Sequence, residues 1–408
     1  MMRIFVICML CVCTVNSTMA QLSVNDYVES VVGYSHAITS AEVKIEGAEA
    51  EYRIAQRGVM PSLSVSSDDP LKVIGANIVQ PIYNGGRNRA IIRQRELSLM
   101  EAGSGLDRTM LDIRYEAEIV YWGLSRAEMY RVAMGDYIAI VQSLRDVAQR
   151  RFDEGYTSKS DLLQVESRLS DAEYQLSEAE QNWQIALHQF NILRGEAAYT
   201  TVMLSESIFD NFAMPLREDM TSILSQHPDY LIALANRESA QCGINLRRAD
   251  YLPTLNMGVF GRWPLTSNGY ASGGILFSVD VPIFHFMESR DALRSARSSY
   301  RLADAQVADV VDNIVLNECN GWANLECSYR RVEAVQRNLE IARENLEIST
   351  YSYREGVATI LDVLQAQISW LQIYENAIAA EYDYAVAIAS YRYIIGKQNP
   401  TSALGLYE

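Results

Sequence analysis

Two hydrophobic periods alternate along the chain. Leu162, Val165, Leu169, Ala172, Leu176, Ala179, Trp183, Ala186, Phe190 and Leu193 stand three and four apart. Val363, Ala366, Trp370, Ile373, Ala377, Ala380, Tyr384, Ala387, Tyr391 and Ile394 repeat the pattern. A three-four spacing held over so many turns is a coiled-coil seam. Alanine at so many seam positions implies close helix approach, and the aromatic residues among them read as packing rather than as a ligand box. Elsewhere the period is two. Leu63 and Val65 alternate with Ser62, Ser64 and Ser66, and Ile74, Ala76 and Ile78 with Gly75 and Asn77. Leu255, Met257 and Val259 alternate with Thr254, Asn256 and Gly258, and Ile275, Phe277, Val279 and Val281 with Leu276, Ser278 and Asp280. These runs predict strands with one apolar and one mostly polar face.

The order of these elements is written twice, and a repeat of this kind governs the fold reading. Phe152-Asp153-Glu154-Gly155 matches Tyr353-Arg354-Glu355-Gly356 at an offset of 201. The same offset aligns Asp161 with Asp362, Leu163 with Leu364, Gln164 with Gln365 and Gly195 with Gly396. Each half predicts a first helix (Val24 to Arg57, then Glu218 to Asp250), two strands and a very long helix (Arg87 to Glu154, then Glu288 to Glu355). A glycine turn follows at Gly155 or Gly356, then a returning helix (Lys159 to Arg194, then Ile360 to Ile395). Each long helix would run roughly 100 Å if continuous. Gly103 and Gly105 are the expected places of local interruption in the first. The expected organisation is a segment 1–20, a first repeat 21–199, a linker 200–217, a second repeat 218–397 and a tail 398–408.

Composition narrows the class. Charged residues are 21% and apolar residues 49% of the 408, which excludes a disordered or collagen-like chain. Lys plus Arg number 35 against 51 Asp plus Glu, a formal charge of -16. A chain this acidic does not track a phosphate backbone, so no nucleic-acid partner is expected. The first twenty residues differ from the rest: Arg3, an uncharged apolar run from Ile4 to Val15, then Thr18-Met19-Ala20. This reads as a secretory signal peptide cut before Gln21. Leu10-Cys11 and Val12-Cys13 fit a lipoprotein signal badly, so the mature end is expected unacylated. Cys242, Cys319 and Cys327 remain and are expected to be buried small hydrophobes, with no disulfide framework.

No segment after the signal reaches about 18 consecutive apolar residues, so a transmembrane helix is not expected. Strands of about 9–11 residues can instead span an outer membrane when closed into a barrel. Four strands cannot close one alone, because their edges would stay unpaired in lipid. Several copies of the chain would have to share a barrel, with the long acidic helices projecting into water. The alternative is a soluble protein with two hairpins packed on helices. The export signal and the placement of Asp280 on the polar face favour the barrel.

The ordered set of motifs resembles the TolC family of outer-membrane efflux proteins over nearly the whole mature chain. Its carriers are the duplication, Pro61-Ser62-Leu63 and Pro253-Thr254-Leu255, and Gln80-Pro81-Ile82-Tyr83-Asn84-Gly85-Gly86-Arg87 leading into the long helix. The turns Phe152 to Leu163 and Tyr353 to Leu364 complete the set. The resemblance implies a mainly α fold with a small β part. In it, an α-helical coiled-coil barrel continues into an oligomeric transmembrane β-barrel, with two structural repeats per chain. It also implies a homotrimer in the outer membrane with a large periplasmic portion. The partners implied are a periplasmic adaptor (membrane fusion) protein, an inner-membrane transporter and outer-membrane lipid. The turns Gly155, Tyr156, Thr157 and Gly356, Val357, Ala358 correspond to the adaptor-contacting tip. Asp362 and Tyr353 correspond to the periplasmic gate, while Gln365 stands where the best-known pattern has a second aspartate and Ala358 where it has a basic residue. Asp161 and Lys159 occupy the related turn of the first half, where they could pair across protomers; helix N-terminal charge is the simpler role for both aspartates. Leu255, Met257, Val259, Ile275, Phe277, Val279 and Val281 would face lipid.

Catalytic constellations are missing. His36, His188, His227 and His285 are not paired at metal-ligand spacing, and there is no glycine-rich phosphate loop. No enzyme activity, cofactor or metal site is expected. Two readings stand at this point. One is a passive outer-membrane exit duct of a tripartite efflux or type I secretion system. The other is a non-channel periplasmic coiled-coil scaffold.

Overall fold

The structure is a computed structural model and describes residues 21–68, 73–210, 212–264, 270–283 and 287–397. The predicted signal peptide and the tail 398–408 lie outside the described residues. The elements run β1 (Gln21–Leu22), α1 (Val24–Tyr34), α2 (His36–Arg57), β2 (Ser62–Asp68), β3 (Val73–Asn84), α3 (Arg87–Asp153) and α4 (Lys159–Leu193). There follow β4 (Met203–Leu204), α5 (Met220–Gln226), α6 (Pro228–Ala249), β5 (Thr254–Pro264), β6 (Ser272–Asp280), α7 (Glu288–Arg354) and α8 (Ile360–Ile394). Among the described residues, no helix is long and apolar enough to cross a membrane.

Contacts divide the chain into two compact units, each drawn from both halves of the sequence. The first takes residues 21–33, 117–210 and 337–382. Its core is the predicted seam. Met134, Tyr137, Val141 and Leu144 of α3 meet Leu162, Val165 and Ala172 of α4, and Val363, Leu364, Ala366 and Trp370 of α8. The two returning helices are not equivalent. From its start to Ala179 helix α4 buries a single stripe (Leu162, Val165, Ala172 and Ala179), with the adjacent pair Phe190-Asn191 buried only at its end, whereas α8 buries neighbouring positions from its start, such as Val363-Leu364 and Trp370-Leu371, as a helix packed on several sides must.

An aromatic knot closes this unit near its chain start. Tyr27 stacks on Phe190 with ring centroids 3.9 Å apart, and its hydroxyl donates to the Phe190 carbonyl (3.1 Å). The buried Tyr121 hydroxyl donates to the Leu22 carbonyl (3.0 Å) and accepts from the Glu206 amide (3.2 Å). Burial pushes the Tyr121 pKa up to about 12, so the hydroxyl stays a donor at any ordinary pH. These bonds hold β1 and β4 side by side as a parallel pair, Gln21 opposite Met203 and Leu22 opposite Leu204. Strand β4 lies in the stretch expected to be a plain linker, while β1 opens the first repeat.

The second unit takes residues 34–116, 212–336 and 383–397. It holds an antiparallel sheet in the order β2-β3-β5-β6. Pro81, which cannot donate to the ladder, sits where the β3–β5 register shifts. Beyond the sheet, Arg217 donates two parallel bonds (2.9 and 2.8 Å) to Glu318, a carboxylate only 1% exposed. Tyr391 donates to the same carboxylate (3.3 Å), and the Arg217 guanidinium lies 5.7 Å from the Trp322 ring centroid. Arg217 thereby holds the Glu318 pKa below the usual carboxylate range.

Several expectations need correction. The first helix of each half is two helices. Ser35 separates α1 from α2, and His227 caps α6 with its Nδ1 accepting from the Asp229 amide (3.3 Å). Pro228 at the first helical position makes that break physical, since its missing N–H cannot continue a preceding helix. Helix α3 runs without interruption through Gly103 and Gly105. Cys242 is buried as expected, but Cys319 and Cys327 are exposed, because their seam of α7 points away from the chain's own core. Val281 lies one residue beyond the end of β6.

The strand-to-helix junctions differ between halves. Gly85 and Gly86 have φ of +65° and +84°, and a Cβ on Gly85 would stand 2.9 Å from the Ala249 carbonyl oxygen. At the place of Gly86 the second half has Met287, with φ of +64°. A side chain in that conformation costs roughly 1–2 kcal/mol. Met287→Gly is expected to raise stability by about 1 kcal/mol, read as a shift in denaturation midpoint. The ion pair gives a second expectation. With Arg217 in place, Glu318 contributes stability that is present above the ordinary carboxylate pKa and lost as pH falls through its lowered value. In Arg217→Ala the buried carboxylate has no cation and its pKa rises. The deficit against the parent should then be largest near neutral pH and shrink as Glu318 protonates, as melting curves across about pH 5–8 would show.

Candidate functional site

The turn residues singled out from the sequence come together at one end of the first unit. Each long helix stops at a glycine in the left-handed region, Gly155 at φ +80° and Gly356 at φ +79°. The last carbonyls are closed in the same way at both ends. The Gly155 amide donates to Phe152 O (3.0 Å) and the Tyr156 amide to Arg151 O (2.7 Å). The Gly356 amide donates to Tyr353 O (3.0 Å) and the Val357 amide to Ser352 O (2.9 Å). This is the Schellman closure, and only glycine enters it at no steric cost. The turn tips are left bare, with Tyr156 73% and Val357 84% exposed.

The two aspartates close the start of the returning helices. Ser158 Oγ accepts from the Asp161 amide (3.2 Å), while Asp161 Oδ2 accepts from the Ser158 amide (3.3 Å) and the Thr157 hydroxyl (2.8 Å). Asp362 Oδ2 accepts from the Thr359 hydroxyl (2.7 Å) and amide (2.8 Å), and Thr359 Oγ1 accepts from the Asp362 amide (3.4 Å). These are reciprocal capping boxes. Donation from Thr157 holds the Asp161 pKa below its ordinary value, and donation from Thr359 does the same for Asp362. Both carboxylates are therefore charged at neutral pH, and the helix N-terminal role is the one seen within a single chain. Lys159 and Gln365 are exposed beside them.

Tyr353 is placed differently from its expected position at an opening. It is 3% exposed, and its hydroxyl is buried with no hydrogen-bond partner among the described residues. Arg151, from the last turn of α3, lies with its guanidinium 4.9 Å from the Tyr353 ring centroid and donates to the Tyr353 carbonyl. Arg354 reaches back to Ser143 Oγ (3.4 Å). A cation thus sits on the C-terminal carbonyls of α7, where the helix dipole favours it. Sequence reasoning missed Arg151 because it looked for a basic residue near Ala358, within the same turn. Its one signal was a pair of arginines, Arg150 and Arg151, ending a long helix.

In the second unit the register settles the facing of the strands. Leu255 pairs with Val279, Met257 with Phe277 and Val259 with Ile275, so all six share one face. Ile78 and Leu63 continue that face across β3 and β2. It is apolar and open: Leu63, Ile275 and Phe277 are each 68–69% exposed. Trp263 ends it at one side and Tyr83, opposite Leu255, at the other. The Trp263 ring covers Gly261, where a Cβ would stand 2.6 Å from the indole. On the other face Ser62, Ser64 and Ser66 line up with Asn77, Gly75, Arg262 and Ser272.

Comparison with known proteins agrees with this geometry. The family described as "Outer membrane efflux protein" matches residues 29–195 and 220–397. Nodulation protein T of Rhizobium leguminosarum bv. trifolii is 22% identical over 93% of this chain and 87% of its own. Outer membrane efflux protein BepC of Brucella suis biovar 1 (strain 1330) is 22% identical over 78% of this chain and 70% of its own. Among solved structures, the outer membrane protein VceC from Vibrio cholerae superposes with a TM-score of 0.78 at 17% identity, covering 92% of this chain and 96% of that one.

The tip geometry yields two expectations. Arg151→Ala should cost about 1–2 kcal/mol of local stability, the sum of a helix-terminus cation and a cation–π contact. It should speed hydrogen exchange at the amides of Gly356 and Val357, and Arg151→Lys should recover only part of the protection. Ser158→Ala removes a cap worth about 0.5–2 kcal/mol, and should fray the first turn of α4 while leaving α8 unchanged.

Proposed function

Because the chain belongs to the outer membrane efflux protein family, we propose that it is the passive exit duct of a tripartite efflux or type I secretion assembly and works as a homotrimer. The observation that carries this reading is the sheet of the second unit. Its apolar face is open, and its outer strands β2 and β6 each pair on one side only. Backbone groups on such edges have no partner in lipid, so the sheet is completed by further copies. The apolar face from Leu255 to Trp263 extends about 27 Å along the strand, which gives about 21 Å of height at the tilt usual in outer-membrane barrels and approaches their roughly 25 Å band. Trp263 and Tyr83 stand where aromatic girdles belong. A coiled-coil scaffold without a barrel leaves this face unexplained.

The tip is the proposed docking end for a periplasmic adaptor, with Tyr156 and Val357 offered to it by the turns Gly155–Thr157 and Gly356–Ala358. Threefold symmetry would turn each Asp362 into a ring of three carboxylates, held charged by Thr359. Such a ring favours cations in a constriction. Gln365 extends the same side of α8 by one turn without charge. Tyr353 acts on the opening from behind, through Arg151, and Asp161 and Lys159 belong to the other hairpin.

Phe277→Arg places a charge on the lipid face at a cost of about 2–4 kcal/mol and should reduce the protein recovered in outer-membrane fractions, whereas Ser278→Ala, on the other face, should leave recovery unchanged. Normal assembly of the Phe277→Arg protein would overturn the strand facing. Asp362→Ala should lower cation selectivity in single-channel recordings. If Asp161→Ala does so and Asp362→Ala does not, the two hairpins occupy the opposite layers of the tunnel.

A further inference from the structure

The polar face of the sheet carries one cation. Among the described residues, Arg262 is the single Lys or Arg in strands β2, β3, β5 and β6. The register puts it in one row with Ser66, Gly75 and Ser272. None of these neighbours has a side chain larger than a hydroxymethyl group. Ser66 leans over Gly75, where a Cβ would stand 3.3 Å from the Ser66 Oγ. The next row is Ser64, Asn77, Phe260 and Gly274. There the Phe260 ring lies down over Gly274, 3.3 Å from a Cβ placed on it. Arg262 is exposed, and among the described residues no carboxylate pairs with it.

Position along the strands gives this charge a direction. Strands β2 and β5 follow helices α2 and α6, and β6 runs on towards α7, so Ser62, Thr254 and Asp280 mark the helix end of the sheet. Arg262 stands two residues before the end of β5, at the loop end. Asp280 lies on the same face, opposite Thr254, about 27 Å along the strands from the Arg262 row. The polar face therefore runs from a carboxylate where the helices join to a guanidinium where the loops join. With only small neighbours, the guanidinium keeps its fork of donors for whatever occupies the space in front of it. That fork matches the oxygens of phosphate and carboxylate.

We infer that Arg262 is an anion-binding position in the lumen of the duct, and that the solutes it meets there carry phosphate, carboxylate or sulfate groups. This site rests on the trimeric duct proposed above and adds to it the charge class of solute held near the exit. Threefold symmetry places three copies of Arg262 at one height, four strands or about 19 Å apart along the wall. Rings of arginine favour anions in a pore as rings of carboxylates favour cations. Arg262 lies on the face opposite Val259 and Phe277, so its anion is a soluble one and not a lipid phosphate. An anion coming from the helix end must pass Asp280 first, whereas one coming from the loop end meets Arg262 directly.

Block of single-channel current by inositol hexakisphosphate tests the site. The full-length protein is added to one side of a zwitterionic bilayer in potassium chloride. Its helices stay on that side, because none is apolar enough to cross lipid, and the probe is then applied to each side in turn. The parent should be blocked at lower concentration from the loop side than from the helix side. The block should weaken as salt rises, since an exposed charge is screened. Arg262→Gln should conduct normally in salt alone and need about tenfold more probe for the same block, the loss expected for a charged hydrogen bond. Arg262→Lys, which keeps the charge without the fork, should be blocked more weakly than the parent. Ser278→Ala, on the same face about 20 Å from the Arg262 row, should match the parent. A conducting parent that the probe does not block from the loop side overturns the anion site and leaves the duct standing. So does block that Arg262→Gln leaves unchanged or, should that protein fail to assemble, block that Arg262→Lys leaves unchanged. A parent that forms no channel overturns both the site and the duct.

Discussion

A four-stranded sheet has two edges, and lipid offers the backbone groups on those edges no partner. That constraint organises much of what the rest of the chain does. The strands carry their apolar residues outward, so the sheet draws little of its stability from a core beneath it. Packing energy is concentrated elsewhere, in helices that meet along alanine-rich seams. The chain keeps its hydrophobic core among helices and leaves the apolar face of its sheet exposed.

Helix α8 is the point where the helical packing converges. It receives Met134, Tyr137 and Val141 from α3 and Ala342 and Leu346 from α7 in one cluster, and it buries residues on several sides. This explains why the two returning helices, so similar in spacing, differ in character. Helix α4 can expose a row of serines because only one of its sides is claimed within the chain. The same logic accounts for the thiols of α7, which lie on a side that the chain's own core does not reach.

The tip is built from short-range polar chemistry. Glycines close the incoming helices and capping boxes open the outgoing ones. Each of these devices stabilises its own turn and leaves the exposed side chains free for contact. Arg151 is the exception, since it joins the first hairpin to the second by binding both the ring and the carbonyl of Tyr353. A long-range polar contact of this kind, at the end of two otherwise apolar seams, couples the positions of the two turns.

Much of the architecture was legible in the order of residues, for reasons that are local. Period two fixes which side of a strand is apolar, so the facing of Leu255, Met257, Val259, Ile275, Phe277 and Val279 followed before any register was known. The three-four spacing fixed the seams of α4 and α8, and glycine at positions 155 and 356 fixed where the long helices stop. Pro228 marked a helix start that could have been recognised in the same way. Other features depend on residues far apart in the chain. Arg151 meets Tyr353 across 202 positions, Tyr121 ties β1 to β4, and Arg217 neutralises the buried Glu318. Hydrophobic periodicity carries no information about such pairs, because a single polar contact leaves no repeat. Only tertiary packing decided which charges are paired, why Tyr353 is buried, and which sides of α4 and α7 remain open.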